Sequence, residues 1–261
     1  MDYLNKDQHF LEEKGALHTA MEISSQPWLW NEIYRRIREE RGALGAFLDR
    51  VLPGMRKIIL TGAGTSAYIG YSLEGVFQRS TGITTVSVPT THLVSHPADY
   101  FDPLTPTLLI SFARSGSSPE SLATVKLFDR YCPGSAHLVI TCNSEGELAR
   151  HHFRNDCYIF NLPPEANDKS LAMTSSYSGM LLAAYLIGNL HELDALETAV
   201  ATLCHYGQRI LSDYTSTLQE IARMPFQRAV FLGSGPAYGT SRESNLKLQE
   251  MTDGQIICKN D

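Results

Sequence analysis

Thr107-Leu108-Leu109-Ile110-Ser111-Phe112-Ala113-Arg114-Ser115-Gly116-Ser117-Ser118-Pro119-Glu120 is the stretch from which the fold is read. A continuous apolar run stops at a glycine set among three serines, and a helical pattern starts at Ser118-Pro119. The order is strand, tight turn, helix N-terminus. The first turn of a helix carries N–H groups without internal acceptors, and their dipoles favour an anion. The hydroxyls of Ser115, Ser117 and Ser118 around Gly116 add donors without adding charge. The pattern points to a phosphate, which need not belong to a nucleotide. A plainer reading stands beside it, because Ser followed by Pro is a capping pattern in its own right. Arg114 either adds charge to the turn or faces solvent.

The same alternation extends outward. Strands are predicted over 57–61, 84–88, 107–112, 137–141 and 157–162, with helices over 67–81, 118–131, 147–152 and 173–190. Residues 89–106 read as loop with one short helix. Alternating strands and helices predict an α/β fold: a three-layer α-β-α sandwich around a mostly parallel five-stranded sheet. Ligands of such sheets sit beyond the carboxyl ends of the strands, where both glycine turns fall.

Upstream, residues 1–29 read as a helical arm, with a short helix over 15–23. A separate long amphipathic helix follows Pro27 and ends near Pro53-Gly54. Downstream, a single helix is predicted over 193–222. Gly233-Ser234-Gly235-Pro236-Ala237-Tyr238-Gly239 then echoes Gly62-Ala63-Gly64-Thr65-Ser66-Ala67-Tyr68-Ile69-Gly70, including an Ala-Tyr pair and a later glycine. This repeat assigns residues 30–223 to a first domain with its linking helix, and residues 224–261 to the beginning of a second copy. One strand and one helix of that copy are predicted before Asp261. Such a piece needs the rest of a second copy, the first domain or a partner to cover it.

Composition narrows the class. The 261 residues suffice for a sizeable core, and 43% hydrophobic with 19% charged residues is ordinary globular usage. A net charge of −6 argues against a nucleic-acid partner. Apolar runs are too short to span a bilayer. Five scattered cysteines read as free thiols of a reducing compartment, so a cytoplasmic protein is expected.

Other motifs leave alternatives open. Gly62-Ala63-Gly64-Thr65-Ser66 could belong to a dinucleotide fingerprint, be a purely structural turn, or present Thr65 and Ser66 to a ligand. No acidic residue for a ribose closes the second strand, so the third reading is preferred. The polar run Asn167 to Ser178 opens an apolar helix; capping explains one or two of its residues, and Thr174 and Ser175 become candidate ligand or interface contacts. Glu243, Lys247 and Glu250 share one helical face at i, i+4 and i+7. That is either a salt-bridged solvent face or a row able to move a proton. No zinc spacing, nucleophile elbow, metal site or cofactor motif is found.

Taken together these motifs resemble the SIS (sugar isomerase) domain family, in its AgaS-type branch of galactosamine-6-phosphate deaminases and tagatose-6-phosphate ketose/aldose isomerases. The resemblance runs from about residue 30 to the end. It implies paired SIS domains, a homodimer and a hexose 6-phosphate ligand. It implies that Ser115 and Ser118, with Gly116 and Ser117, hold the phosphate, and that Thr65 and Ser66 form the neighbouring substrate loop. Arg114, Thr174 and Ser175 stay candidate further substrate contacts on the reading of the residues themselves. Glu250 would move the proton between C1 and C2, supported by Glu243 and Lys247. Ala113 and Arg114 stand where the family often has a serine or glutamine pair, and Ser175 stands where the synthase branch has lysine, which favours the deaminase/isomerase branch. The family's ring-opening histidine and a late lysine fall beyond Asp261. The alternative function is a non-catalytic sugar-phosphate-binding regulatory module.

Overall fold

A computed structural model describes residues 2–261. The core is a parallel sheet of Lys57–Gly62 (β1), Thr84–Ser87 (β2), Thr107–Ala113 (β3), Ala136–Thr141 (β4) and Asp156–Asn161 (β5). Their order is β2-β1-β3-β4-β5, so β3 is central and all seven of its residues are buried. Thr65–Thr81 (α2) and Pro119–Tyr131 (α3) follow β1 and β3. The sequence-predicted three-layer sandwich and five strands are what the chain forms.

Period-two alternation divides the core. Ile58, Leu60, Leu108, Ile110, Leu138 and Ile140 face a layer formed by Leu17–Val51 (α1), α2 and Ser175–Gly188 (α4). Ile59, Leu109 and Val139 face the opposite way, against Val125 and Phe128 of α3. The helices after β1 and β3 therefore lie on opposite faces, and the crevice between them opens at the carboxyl edge.

Several predicted elements differ. The arm is one helix from Leu17 to Val51 that runs through Pro27. Proline removes the donor for the Ile23 carbonyl and disturbs the preceding turn. There the Glu22 carbonyl accepts from Ser25 Oγ (3.0 Å) and Ser175 Oγ (3.0 Å). Before it come a two-residue hairpin, Asp2–Tyr3 with Lys6–Asp7, and the helix Gln8–Glu13. Residues 89–106 hold two short helices, Thr90–Ser95 and Pro97–Tyr100. The helix expected over 147–152 is a series of turns, because its amides bond to the serine loop: Leu148 N donates to the Gly116 carbonyl at 2.7 Å and Glu147 N to Ser117 Oγ at 3.3 Å. The helix expected over 193–222 is interrupted. Glu197–Arg209 (α5) passes through a π-helical segment, Ile210–Tyr214, into Thr215–Ala222.

The internal repeat is structural. Arg228–Phe231 (β6), Pro236–Met251 (α6) and Ile257–Asn260 (β7) make a two-stranded parallel sheet and its helix, one strand more than the sequence suggested. Gly64 (φ 55°, ψ −126°) and Gly235 (φ 54°, ψ −129°) adopt one left-sided conformation that only glycine holds without strain. The Ala-Tyr pairs are not equivalent: the glycine turns are related by an offset of 171 residues and the Ala-Tyr pairs by 170. Among the described residues no helix is long and apolar enough to cross a membrane.

Candidate functional site

Strand order reverses between β1 and β3, the position at which doubly wound sheets take ligands. Gly62 and Phe112 are paired in register, so the turns beyond them are neighbours at one edge. The first carries Thr65 and Ser66, the second Ser115 to Ser118.

In the serine turn Gly116 has φ +64° and is buried, whereas Ser115 and Ser117 are exposed. Ser118 caps α3: its Oγ accepts from Ser121 N at 3.4 Å and donates to Ser121 Oγ at 2.6 Å. Ser117 N donates to Ser115 Oγ at 3.3 Å. Among the described residues no protein acceptor meets the N–H of Gly116, Ser118 or Glu120. The capping and anion-binding readings coexist, because the cap uses one orphan donor and leaves others.

The N-terminus of α4 is occupied by the protein itself. Asp168, 7% exposed, accepts from the backbone N–H groups of Thr174 (3.0 Å), Ser175 (2.9 Å) and Ser176 (2.9 Å). It also accepts from the Thr174 hydroxyl at 3.1 Å and from the Ser176 hydroxyl. A carboxylate thus already fills the anion position there. Ser175 is fully buried, with its hydroxyl on the Glu22 carbonyl. Thr174 reaches a hollow that it shares with Gln26, Tyr177, Glu243 and Lys247. Arg114 joins the two loops by donating from Nη1 to the Ser170 carbonyl at 3.4 Å.

Helix α6 brings the acidic row to the β1 turn. Gly239 packs so closely on α2 that a Cβ there would lie 2.3 Å from the Tyr68 carbonyl oxygen and 2.8 Å from Ser72 N. One turn further on, Glu243 is 5% exposed and Thr65 Oγ1 donates to its Oε1 at 3.2 Å. Lys247 Nζ lies 3.4 Å from the same oxygen and also pairs with Glu250 Oε2. Glu250 is about a third exposed, two turns along the same face. Burial pushes the Glu243 carboxyl up to about 7, with Lys247 and Thr65 pulling the other way. Its Oε2 has no partner among the described residues.

That shift has a sign. Between the unfolded carboxyl value, ~4.3, and about 7, the folded chain holds a proton that the unfolded chain has lost. The contribution of Glu243 to stability is therefore full below ~4.3 and is lost as pH rises through about 7. The loss is at most about 4 kcal/mol. Denaturant titrations of the parent and Glu243→Gln from pH 4 to 8 should show the variant gaining stability relative to the parent across that window. A constant difference would refute the assignment.

The candidate residues thus fall into three linked groups: Thr65 with Glu243, Lys247 and Glu250; Ser115 to Ser118; and Thr174 and Ser175 around Asp168. Ser66 is buried beside Thr65. Asp168 was missed because it caps from six residues before the N-cap residue Thr174, outside the local N-cap spacing. Asn143 and Gly146, which touch the serine turn, carry no motif at all.

The strand order and the crevice at its reversal put the chain in the doubly wound α/β class. A family model described as SIS domain matches residues 52–190, and the chain belongs to the SIS domain family, within its AgaS branch. It is 42% identical over 251 residues to a candidate D-galactosamine-6-phosphate deaminase AgaS of Streptomyces coelicolor, covering 94% of this chain and 64% of that protein. It is 40% identical over 253 residues to D-galactosamine-6-phosphate deaminase AgaS of Shewanella sp. strain ANA-3, covering 95% and 64%. The solved structure of a candidate tagatose-6-phosphate ketose/aldose isomerase from Clostridium novyi NT superposes with a TM-score of 0.95 at 39% identity, over 100% of this chain and 67% of that one. The chain spans 64% of the length of these two curated relatives.

Proposed function

We propose that this chain supplies the phosphate site and the proton-transfer row of an amino-sugar phosphate deaminase and aldose–ketose isomerase acting on D-galactosamine 6-phosphate. The observation that carries this reading is the contact of Thr65 with Glu243. It holds the carboxylate row of α6 at the turn beside the serine loop. Residues 30–223 provide the phosphate turn, residues 224–261 the carboxylates, and residues 1–29 a brace through Glu22.

In this reading the sugar phosphate accepts hydrogen bonds from the serine hydroxyls and free amides of residues 115–118, with Thr65 and Ser66 along the substrate. Fixing the phosphate holds C1 and C2 of the open-chain aldose in one place. Glu250 takes the C2 proton as the electron pair moves toward the C1 carbonyl, whose oxygen takes up a proton; the enol-amine is reprotonated at C1 as its nitrogen gives up a proton in return. The resulting C2 imine takes up water and releases ammonia, leaving the ketose 6-phosphate. With a hydroxyl in place of the amine the same transfer is an isomerisation. Lys247 sits between Glu243 and Glu250 and compensates their charge. Arg114 and Thr174 shape the wall between the loops, while Ser175, buried with its hydroxyl on the Glu22 carbonyl, braces α4 from behind rather than contacting substrate.

Ammonia and ketose phosphate released from D-galactosamine 6-phosphate measure this directly. Glu250→Gln should lower turnover by about 100-fold or more while substrate still binds. Unchanged turnover in that variant contradicts its assignment. Binding with no ammonia from the parent would favour the regulatory alternative. A homodimer is proposed as well, supported by Tyr206, Ile210, Tyr214 and Leu218, which stand exposed along one stretch. The five unpaired thiols support a cytoplasmic setting.

A further inference from the structure

We infer that Asn143, from the loop after β4, is a positioning residue that turns the amides of the serine loop toward the phosphate, with Gly146 as the space that lets it do so. The inference rests on the phosphate-binding reading above. Two peptide carbonyls of the loop are pulled back into the protein. Asn143 Nδ2 donates to the Ser115 carbonyl at 3.0 Å, and Leu148 N donates to the Gly116 carbonyl at 2.7 Å. In a trans peptide the N–H points opposite to the C=O. Drawing back the carbonyl of residue 115 therefore turns the N–H of Gly116 outward, to the side on which Ser115 and Ser117 are exposed, while the Ser117 N–H, set by the Gly116 carbonyl, meets Ser115 Oγ at 3.3 Å.

The brace is itself held. Asn143 N donates to Thr141 Oγ1 at 3.3 Å, and Asn143 Oδ1 accepts from Glu145 N at 3.0 Å. The side chain is thus used at both ends. Gly146 N donates to the Asn143 carbonyl at 3.1 Å. A Cβ on Gly146 would lie 2.4 Å from the Ser115 carbonyl oxygen and 3.0 Å from Gly116 Cα, so the brace seats only with glycine there. Three hydrogen bonds from residues about 30 positions later, those of Asn143 Nδ2, Glu147 N and Leu148 N, act on this one loop. Without the Asn143 donor, the Ser115 carbonyl keeps only the longer bond from Ser117 Oγ (3.4 Å), and its peptide turns more readily to present an oxygen, which repels a phosphate, where an N–H now faces it.

Calorimetric titration tests this with D-galactosamine 6-phosphate and D-galactosamine, alongside thermal denaturation. Asn143→Ala is expected to weaken the 6-phosphate at least tenfold, to leave the weak binding of the unphosphorylated sugar unchanged, and to keep the melting temperature within a few degrees. Asn143→Asp keeps the acceptor for Glu145 N but replaces the donor, so it should show the same selective loss in a folded chain if the alanine variant does not fold. Phosphate selectivity equal to the parent's in either folded variant overturns the inference and leaves the functional reading standing. A parent that does not distinguish the phosphorylated sugar from the free one overturns both.

Discussion

Gly239→Ala should cost this protein about 100-fold in the proposed deaminase turnover while leaving its main sheet intact. Gly239 lies against the Tyr68 carbonyl and Ser72 of α2, and a methyl group there would approach both at 2.3 Å. One of the two is backbone and cannot rotate away, so α6 has to lift. Overpacking of this kind costs about 1–3 kcal/mol. The functional loss is larger, because Glu243 leaves Thr65 and carries Lys247 and Glu250 with it. A displacement of ~1 Å at a catalytic group is enough for a 100-fold effect. Gly42→Ala is the control. Gly42 lies within α1 with nothing within 4 Å of its Cβ position, so alanine there should be neutral or stabilising. Equal activity in both variants would remove α6 from the mechanism.

Asp168→Ala should produce the largest loss of stability from a single side chain, about 3–5 kcal/mol. Its carboxylate satisfies three backbone N–H groups and two hydroxyls at a buried helix start. Alanine leaves all of them without a partner where water has little access, and that desolvation dominates the cost. For a chain of this size the melting temperature should fall by roughly 10 °C. Asp168→Asn, with one acceptor oxygen left, should lie between. A melting temperature within 2 °C of the parent for Asp168→Ala would show that the cap is dispensable.

Legibility in the sequence followed the range of the forces. The strand over 107–112 and its turn were readable because an apolar run, Gly116 and the Ser118-Pro119 cap are all local signals. The start of a second copy was visible in Gly233-Ser234-Gly235, and the two glycine turns share one backbone conformation. Failures came where distant groups decided the outcome. Residues 147–152 have helical composition, yet the amides of Glu147 and Leu148 are taken by a loop about 30 residues earlier. Pro27 looked like a boundary, but packing of α1 along α4 carries the helix through it. Within the site, the i, i+4, i+7 row was legible on α6. That Glu243 is buried and Glu250 partly open was not, because burial depends on how α6 docks onto α2.

The central claim is that the serine loop holds a sugar phosphate while α6 presents its carboxylates to the other end of the same molecule. A crystal of the protein soaked with D-galactosamine 6-phosphate tests it most directly. The account predicts phosphate density against the amides of Gly116 and Ser118 and the hydroxyls of residues 115–118, with the sugar chain running toward Glu243 and Glu250. A phosphate bound elsewhere, or a sugar directed away from α6, would contradict it.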